Sequence, residues 1–97
     1  MATIDVHRAH VLPKTDARRL AEDLVRSMKH AADFDLRWEG DRLVFNAARG
    51  LTKGTQGTID VTDDDVRVQI DLPLLLRVAK GPMEAKVKEK LARLSAT

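Results

Sequence analysis

The sequence predicts an α+β fold in which one antiparallel sheet carries two helices on one face. Five short stretches alternate between apolar and polar residues, as half-buried strands do. Two longer stretches repeat apolar residues every three or four positions, as amphipathic helices do. In chain order the expected elements are β-α-β-β-β-β-α, and the four consecutive strands form a meander. A length of 97 residues suits a single domain spanning residues 1–97.

A strand and a one-sided helix open the chain. Ile4 and Val6 alternate with polar neighbours, which is the period of a strand. Thr15 has a side chain suited to capping a helix N-terminus. The helical face that follows is apolar and contains Ala17, Leu20, Ala21, Leu24, Val25, Met28 and Ala32. We expect this helix to end between residues 29 and 32.

Two predicted hairpins follow the helix. Residues 34–45 form the first, and residues 59–72 form the second around a polar turn at residues 62–65. The short aspartate side chains of that turn can bond their own backbone. Between the hairpins, residues 46–53 show little pattern and predict a loop. Trp38 shares a side of its strand with other apolar residues, so we expect it in the core.

The C-terminal third carries more apolar residues than one side of a small core requires. At about 100° per residue, one stripe of a helix contains Leu76, Ala79, Met83, Val87, Leu91 and Leu94. Leu74, Leu75 and Val78 lie off this stripe. Either the segment packs on two sides, under the sheet or in a dimer interface, or it exposes an apolar patch that docks on a partner or a lipid-like surface. Burial is our first expectation, because exposed patches are the rarer case.

Gly81 and Pro82 interrupt the same helical pattern. A proline within a helix removes a hydrogen bond and clashes with the preceding turn. Two arrangements satisfy this constraint. One helix bends at the proline, or a short helix ends at Lys80 and a second helix begins with Pro82 at its first position.

Charge is distributed unevenly, although the net charge is only +2. Residues 54–73 contain five aspartates and one arginine, a net charge of −4. Residues 74–97 contain two glutamates and six cations, a net charge of +4. The six cations are Arg77, Lys80, Lys86, Lys88, Lys90 and Arg93. The asymmetry suits pairing within one chain, which is our default, head-to-tail pairing between chains, or a basic face for an anionic surface.

Composition and spacing argue against several classes of protein. The chain has no cysteine, which excludes disulfides and cysteine–zinc sites and fits a reducing compartment. It has no apolar run of signal-peptide or membrane-span length, so we expect a cytoplasmic location. His7 and His10 would point to opposite faces of a strand, and residues 63–65 lack the spacing of a calcium loop. We expect surface histidines, no metal or cofactor, and no enzymatic activity.

Short motifs along the chain resemble the polyhydroxyalkanoic acid system protein family. They are Arg37-Trp38-Glu39-Gly40-Asp41, Gly57-Thr58-Ile59, Asp64-Asp65-Val66-Arg67-Val68, Leu75-Leu76 and Lys80-Gly81-Pro82 with Glu84. The opening strand, His10, Leu12-Pro13 and the alanine-rich helix are also similar. The chain departs from the family in a polar insertion at residues 47–53. The resemblance implies a small bacterial protein linked to polyhydroxyalkanoate synthesis and granules, with no assigned active site.

The resemblance and the apolar surplus lead to one expected function and its alternatives. We expect a non-enzymatic accessory or binding protein that docks on a polyhydroxyalkanoate granule or on another granule protein. Its basic face would be the six cations, and its apolar docking residues would be Leu72, Leu74, Leu75, Leu76 and Val78. One alternative is a homo-oligomeric structural or small-ligand-binding domain, such as a homodimer. Nucleic-acid binding is less favoured, because a buried Trp38 would leave no aromatic platform for bases.

Overall fold

The chain forms one five-stranded antiparallel sheet and two α-helices in a computed structural model that describes residues 3–28, 31–50 and 53–92. The strands are β1 (Ile4–Ala9), β2 (Phe34–Glu39), β3 (Arg42–Ala47), β4 (Gln56–Val61) and β5 (Asp65–Asp71). The helices are α1 (Lys14–Arg26) and α2 (Lys80–Ala92), with 3₁₀ helices at Ala31–Asp33 and Leu74–Ala79. The predicted α+β class and element order are therefore confirmed.

The strand order is β1-β5-β4-β3-β2, so the four consecutive strands form a meander and β1 adds beside its last strand. Opposite residues bring apolar side chains together across the strands, as where Ile59 faces Leu43 on one side and Val68 on the other. Because side chains alternate along each strand, these residues line one face only. There α1 packs over β4 and α2 packs over β1. The fully buried core contains Ile4, Val25, Leu43, Phe45, Ile59, Val66, Val68, Ile70 and Val87.

The bounds of α1 differ from the expected ones. The helix begins at Lys14, follows Pro13, and has no side-chain cap, so Thr15 lies inside its first turn and the predicted N-cap was wrong. It ends at Arg26, where the Ser27 hydroxyl donates to the Leu24 carbonyl at 2.8 Å. The chain then enters the first 3₁₀ helix, which leaves Ala32 exposed rather than on the apolar face of α1.

A 3₁₀ helix and an α-helix meet at Lys80, which decides between the two arrangements considered for Gly81 and Pro82. The segment Leu74–Ala79 is a separate short helix, and α2 begins immediately after it. Pro82 is the third residue of α2, within the first turn, where backbone N–H groups have no partner inside the helix. The proline is therefore accommodated in the first turn of α2, two residues later in the helix than predicted.

The face of the sheet opposite the helices is polar and carries its own ion pairs. Arg42 Nε donates to Asp60 at 2.6 Å, and Arg67 donates two hydrogen bonds to Asp5 at 3.0 and 2.7 Å. The Arg67 guanidinium lowers the pKa of the Asp5 carboxyl, and the hydrogen bond from Arg42 to Asp60 raises the pKa of Arg42. Within residues 3–92 as described, no ion pair joins the acidic hairpin to α2. The hairpin carboxylates pair instead with His7 of β1, Lys14 of α1 and Arg42 of β3, so the described residues give no support to the default of pairing between hairpin and helix.

Gly57 lies in β4 beneath an aromatic ring. A Cβ at this position would overlap the ring of Phe45, which is 1% exposed and packs edge-on against Phe34 with ring centroids 5.8 Å apart. The ring is buried and packed against Phe34, so a side chain at position 57 would have to displace it, and glycine is favoured here by close approach.

Gly57→Ala is expected to lower the free energy of unfolding by about 1–3 kcal/mol, because the added methyl overpacks the core. Gly81→Ala is the matched control, since no atom lies within 4 Å of its Cβ position. In a helix that substitution should raise stability by up to about 1 kcal/mol. Urea unfolding followed by circular dichroism measures both. Equal effects of the two substitutions would contradict the packing account.

Stability should depend on pH through Asp5. Its pKa is lowered from 3.8 in the folded chain, so the ion pair stabilises the fold above that value and is lost as pH falls through the folded pKa. We expect Arg67→Gln to raise the Asp5 pKa toward its ordinary value in a carboxyl NMR titration, because the largest cause of its lowering is removed. The variant should be less stable than the parent at pH 7, and the difference should shrink as pH falls through the folded pKa of Asp5. A destabilisation that persists unchanged at pH 2 would assign the role of Arg67 to packing.

Candidate functional site

The five residues expected to form an apolar docking surface separate into core and surface residues. Leu72 is 4% exposed and belongs to the core, and Leu76 is half-buried against the same core. Leu74 is 76% exposed and Val78 is 89% exposed. The side chain of Leu75 lies outside what the structure describes. The expectation that the segment packs under its own sheet was therefore wrong for Leu74 and Val78, whereas burial in a dimer interface stays a prediction.

The backbone explains this division. Leu72 continues the inward alternation of β5, and its N–H donates to the Thr3 hydroxyl at 3.1 Å, so it remains part of the sheet layer and was wrongly assigned to the surface. After Pro73 the chain turns into a 3₁₀ helix with three residues per turn, in which residues i and i+3 lie above one another. Leu76 takes the inward row, while Leu74 and Val78 lie on the outward rows.

The six cations expected to form a basic face also differ in their surroundings. Lys86 Nζ donates to the Ser27 carbonyl at the end of α1, and Lys88 pairs with Glu84 at 3.5 Å. Lys90 is half-buried in α2, and Arg93 lies outside the described residues. Arg77 and Lys80 are exposed, and no described carboxylate lies within 4.0 Å of either.

The exposed cations and the exposed apolar side chains share one short segment. We call Leu74, Arg77, Val78 and Lys80 the docking surface. In the 3₁₀ helix Arg77 follows Leu74 by three residues, so a cation lies directly beside an apolar side chain. This combination provides apolar contact and positive charge on one side of the molecule.

Val11 is a third large apolar residue at the surface, 80% exposed. It follows the end of β1, where Ala9 pairs with Asp65 at the start of β5, whereas the docking surface follows the end of β5. The length of β5 separates the two positions by about 20 Å. Val11 is therefore a matched exposed apolar residue outside the docking surface.

A hollow of about 610 Å³ lies on the polar face of the sheet. Its lining includes Arg37, Val44, Gln56, Thr58 and Gln69 from four neighbouring strands. Its volume falls in the range of small-molecule sites, but its lining is mainly polar rather than apolar. The small-ligand alternative therefore has one possible space on the polar face of the sheet.

Trp38 packs against α1 rather than facing solvent. The Arg18 guanidinium lies 4.3 Å from the centre of its ring, and the indole N–H donates to Glu22 at 2.7 Å. These contacts cover one side of the ring and use its only donor. The expectation that Trp38 lies in the core was therefore only partly right: the side chain packs against the core but stays half-buried at the sheet edge.

The two histidines have different environments, and the expectation of two surface histidines was wrong for His10. His7 is exposed and lies 3.0 Å from Asp65; its hydrogen bond, followed by one from Thr62, lowers the pKa of that carboxyl. His10 is 4% exposed. The Leu12 N–H donates to His10 Nδ1 at 3.1 Å, so Nε2 carries the proton and donates to the Thr62 carbonyl at 2.9 Å. Nowhere in the described ranges do three potential metal ligands cluster.

His10→Phe is expected to lower the free energy of unfolding by about 1–3 kcal/mol, because the partly buried Thr62 carbonyl and Leu12 N–H lose their shared partner. His7→Gln, at an exposed position on the same strand end, should change stability by no more than about 0.5 kcal/mol. Thermal unfolding at pH 7 compares the two variants. Equal destabilisation would contradict a structural role specific to His10.

The chain was compared with protein families, curated proteins and solved structures. The family described as "putative polyhydroxyalkanoic acid system protein" matches residues 4–94. Neither the curated proteins nor the solved structures contain a match. Among the described helices, none is long and apolar enough to cross a bilayer. Because the family match covers almost the whole chain and agrees with the resemblance in the motifs, the protein belongs to the polyhydroxyalkanoic acid system protein family.

Proposed function

We propose that the chain is a non-enzymatic accessory protein of the polyhydroxyalkanoate system that docks on the granule through the docking surface. The observation that carries the proposal is the exposure of Leu74 and Val78, at 76% and 89%, on a short helix that also presents Arg77 and Lys80. Family membership supports the link to the polyhydroxyalkanoate system. The proposed location is the cytoplasm, where a granule would be accessible.

Magnitudes indicate a reversible contact. Full burial of an aliphatic side chain contributes about 1.5–3 kcal/mol, so Leu74 and Val78 together contribute about 3–6 kcal/mol. Each cation near an anionic surface adds about 1 kcal/mol at moderate ionic strength. Part of this sum is lost to the restricted motion of a bound protein. Apolar contact and charge are therefore both needed, and binding should weaken with salt.

The same surface is a poor candidate for a stable subunit interface. Specific protein–protein interfaces bury about 1,200–2,000 Å² in total and involve about 20–30 residues on each side. The docking surface has two described apolar side chains at its centre, with cations beside them. Two copies brought face to face would also place Arg77 and Lys80 near the same cations of the other copy. A large anionic and apolar surface suits it better.

The double variant Leu74→Ser/Val78→Ser should bind polyhydroxyalkanoate particles coated with an anionic phospholipid at least about tenfold more weakly than the parent. Its fold should be retained, because both side chains are already in solvent. Sedimentation of the particles with bound protein gives the affinity. Circular dichroism and thermal unfolding verify the fold.

Val11→Ser is the matched control, since it removes an equally exposed apolar side chain at the opposite end of the sheet. Its affinity should equal that of the parent. A second comparison, Arg77→Gln/Lys80→Gln, should weaken binding at low salt and reduce its salt dependence. Parent-like binding by the folded Leu74→Ser/Val78→Ser protein would refute the proposal. So would equal losses in the Val11→Ser protein.

A further inference from the structure

We infer that β2 is a self-association edge through which two copies of the chain join into one ten-stranded sheet. β2 stands at one end of the strand order and pairs with β3 on one side only. Its other side presents backbone N–H and C=O groups, which is the arrangement that accepts another strand. This inference goes beyond the granule docking proposed above and does not depend on it.

The two edges of the sheet are not equivalent. At the β1 edge, α2 packs over the strand, and the inward residues Ile4 and Val6 are 1% and 8% exposed. At the β2 edge, the inward residue Phe34 is 6% exposed, but Leu36 and Trp38 are only half-buried against the core. The apolar face is therefore covered at Ile4 and Val6 of β1 and only partly covered at residues 36–38 of β2. A second copy beside β2 would complete it.

Two copies related by an axis perpendicular to the sheet would align their β2 strands antiparallel, with all helices on the same side. Each residue of one β2 strand must then lie opposite a residue of the other β2 strand whose side chain points to the same face of the sheet. A shift of one residue would place apolar side chains opposite polar ones. The axis therefore passes through a residue of β2 rather than between two residues. Among the four central residues of β2, the axis can pass through Asp35, Leu36, Arg37 or Trp38.

Charge excludes two of these four positions and leaves the axes at Leu36 and Trp38, the second of which sets Arg37 opposite the second copy's Glu39. An axis at Leu36 places Asp35 opposite the second copy's Arg37, and this pair occurs twice. An axis at Arg37 places like charges together, Arg37 against itself and Asp35 against Glu39. An axis at Asp35 sets that carboxylate against its own copy. Each direct cross-strand pair changes stability by about 0.2–1 kcal/mol, so like charges oppose the latter two registers.

The axis at Trp38 pairs fewer residues. It places Leu36 opposite Gly40, which has φ +63° in the turn after the strand, so pairing ends there. The axis at Leu36 instead aligns all of residues 34–38. On the helix side it sets Leu36 against itself and Phe34 against Trp38, which continues the apolar rows of the sheet. Charge and apolar contact therefore agree on the same register.

The side chains that would pair across the two copies form only exposed ion pairs within one chain. Arg37 forms a pair with Glu39 at 2.8 Å, and Asp35 lies 3.6 Å from Arg49. All four side chains are more than half exposed: Arg37 by 67%, Glu39 by 53%, Asp35 by 60% and Arg49 by 56%. Exposed ion pairs of this kind contribute little to stability. Replacing them with pairs across the new strand contact therefore costs little.

Single cysteines test this register directly, because the chain has none of its own. Cysteines at position 36 of two copies would lie opposite each other, with Cα atoms about 4.5–5.5 Å apart, which suits a disulfide. Leu36→Cys should therefore form a covalent dimer under mild oxidation. Thr58→Cys, on the inner strand β4, is the control and should form far less.

A mixture of Asp35→Cys and Arg37→Cys proteins tests the same register at exposed positions, where folding is not at risk. Across the proposed axis, position 35 lies opposite position 37, so the mixture should form a mixed disulfide. Each protein alone places its cysteines on a diagonal about 7–8 Å apart and should form little. Mass spectrometry distinguishes the mixed product from the two symmetric ones.

Charge reversal tests association without covalent trapping. The parent's sedimentation coefficient should rise with loading concentration, and Arg37→Glu should remain at the monomer value because it faces Asp35 of the second copy. Asp35→Arg/Arg37→Asp restores opposite charges and should restore the rise. Arg19→Glu, on the exposed face of α1, is the charge-matched control and should behave like the parent.

The result that would overturn the inference is equally definite. The inference is wrong if the parent sediments as a monomer at all concentrations and the mixture of Asp35→Cys and Arg37→Cys proteins forms no more disulfide-linked dimer than the Thr58→Cys control does. A parent that associates while Arg37→Glu associates equally well would place the interface away from β2 and would also overturn it.

Discussion

The apolar rows that cross all five strands on one face of the sheet determine the placement of the other elements. Ile70 faces Ile4 on β1 and Gly57 on β4, and the Phe45 ring fills the space above Gly57. Because strand side chains alternate, burying these rows commits the opposite face to solvent, where Asp5 and Arg67 pair. The two helices then cover the apolar face unequally, which leaves the edge at β2 less protected than the edge at β1.

The sequence was a good guide wherever one periodicity held over a whole element. Alternation in β5 and the inward positions of α1 predicted which residues are buried, because burial repeats every two or 3.6 residues. The wheel at 100° per residue also sorted the C-terminal segment correctly, because Leu76 lies on its stripe and is half-buried, whereas Leu74 and Val78 lie off the stripe and are exposed. What failed was the expectation that the off-stripe side chains pack under the sheet. A helical wheel orders residues around an axis but contains no information about which tertiary neighbours cover each side.

Contacts distant in sequence were also beyond prediction. His10 is buried because its ring bonds the Thr62 carbonyl, 52 residues away, and nothing near His10 in the chain signals that partner. The hairpin aspartates illustrate the same limit. Net charges of opposite sign suggested that hairpin and C-terminal helix pair, but the sheet register brings Asp60 to Arg42 and α1 brings Lys14 to Asp63. Charge totals describe segments, whereas pairing is decided by the neighbours that the fold supplies.

The small size of the docking surface gives self-association at β2 a physical consequence. Two exposed apolar side chains and two cations support only modest affinity for a surface. A pair of chains joined at β2 would carry two such surfaces with their helices on one side of the sheet, so the second contact would follow the first as an intramolecular step. Effective concentrations in the millimolar range for such steps multiply a weak single contact by about 10²–10⁴. The two proposals are therefore compatible, because association at β2 would raise the affinity of a contact that is weak for a single chain.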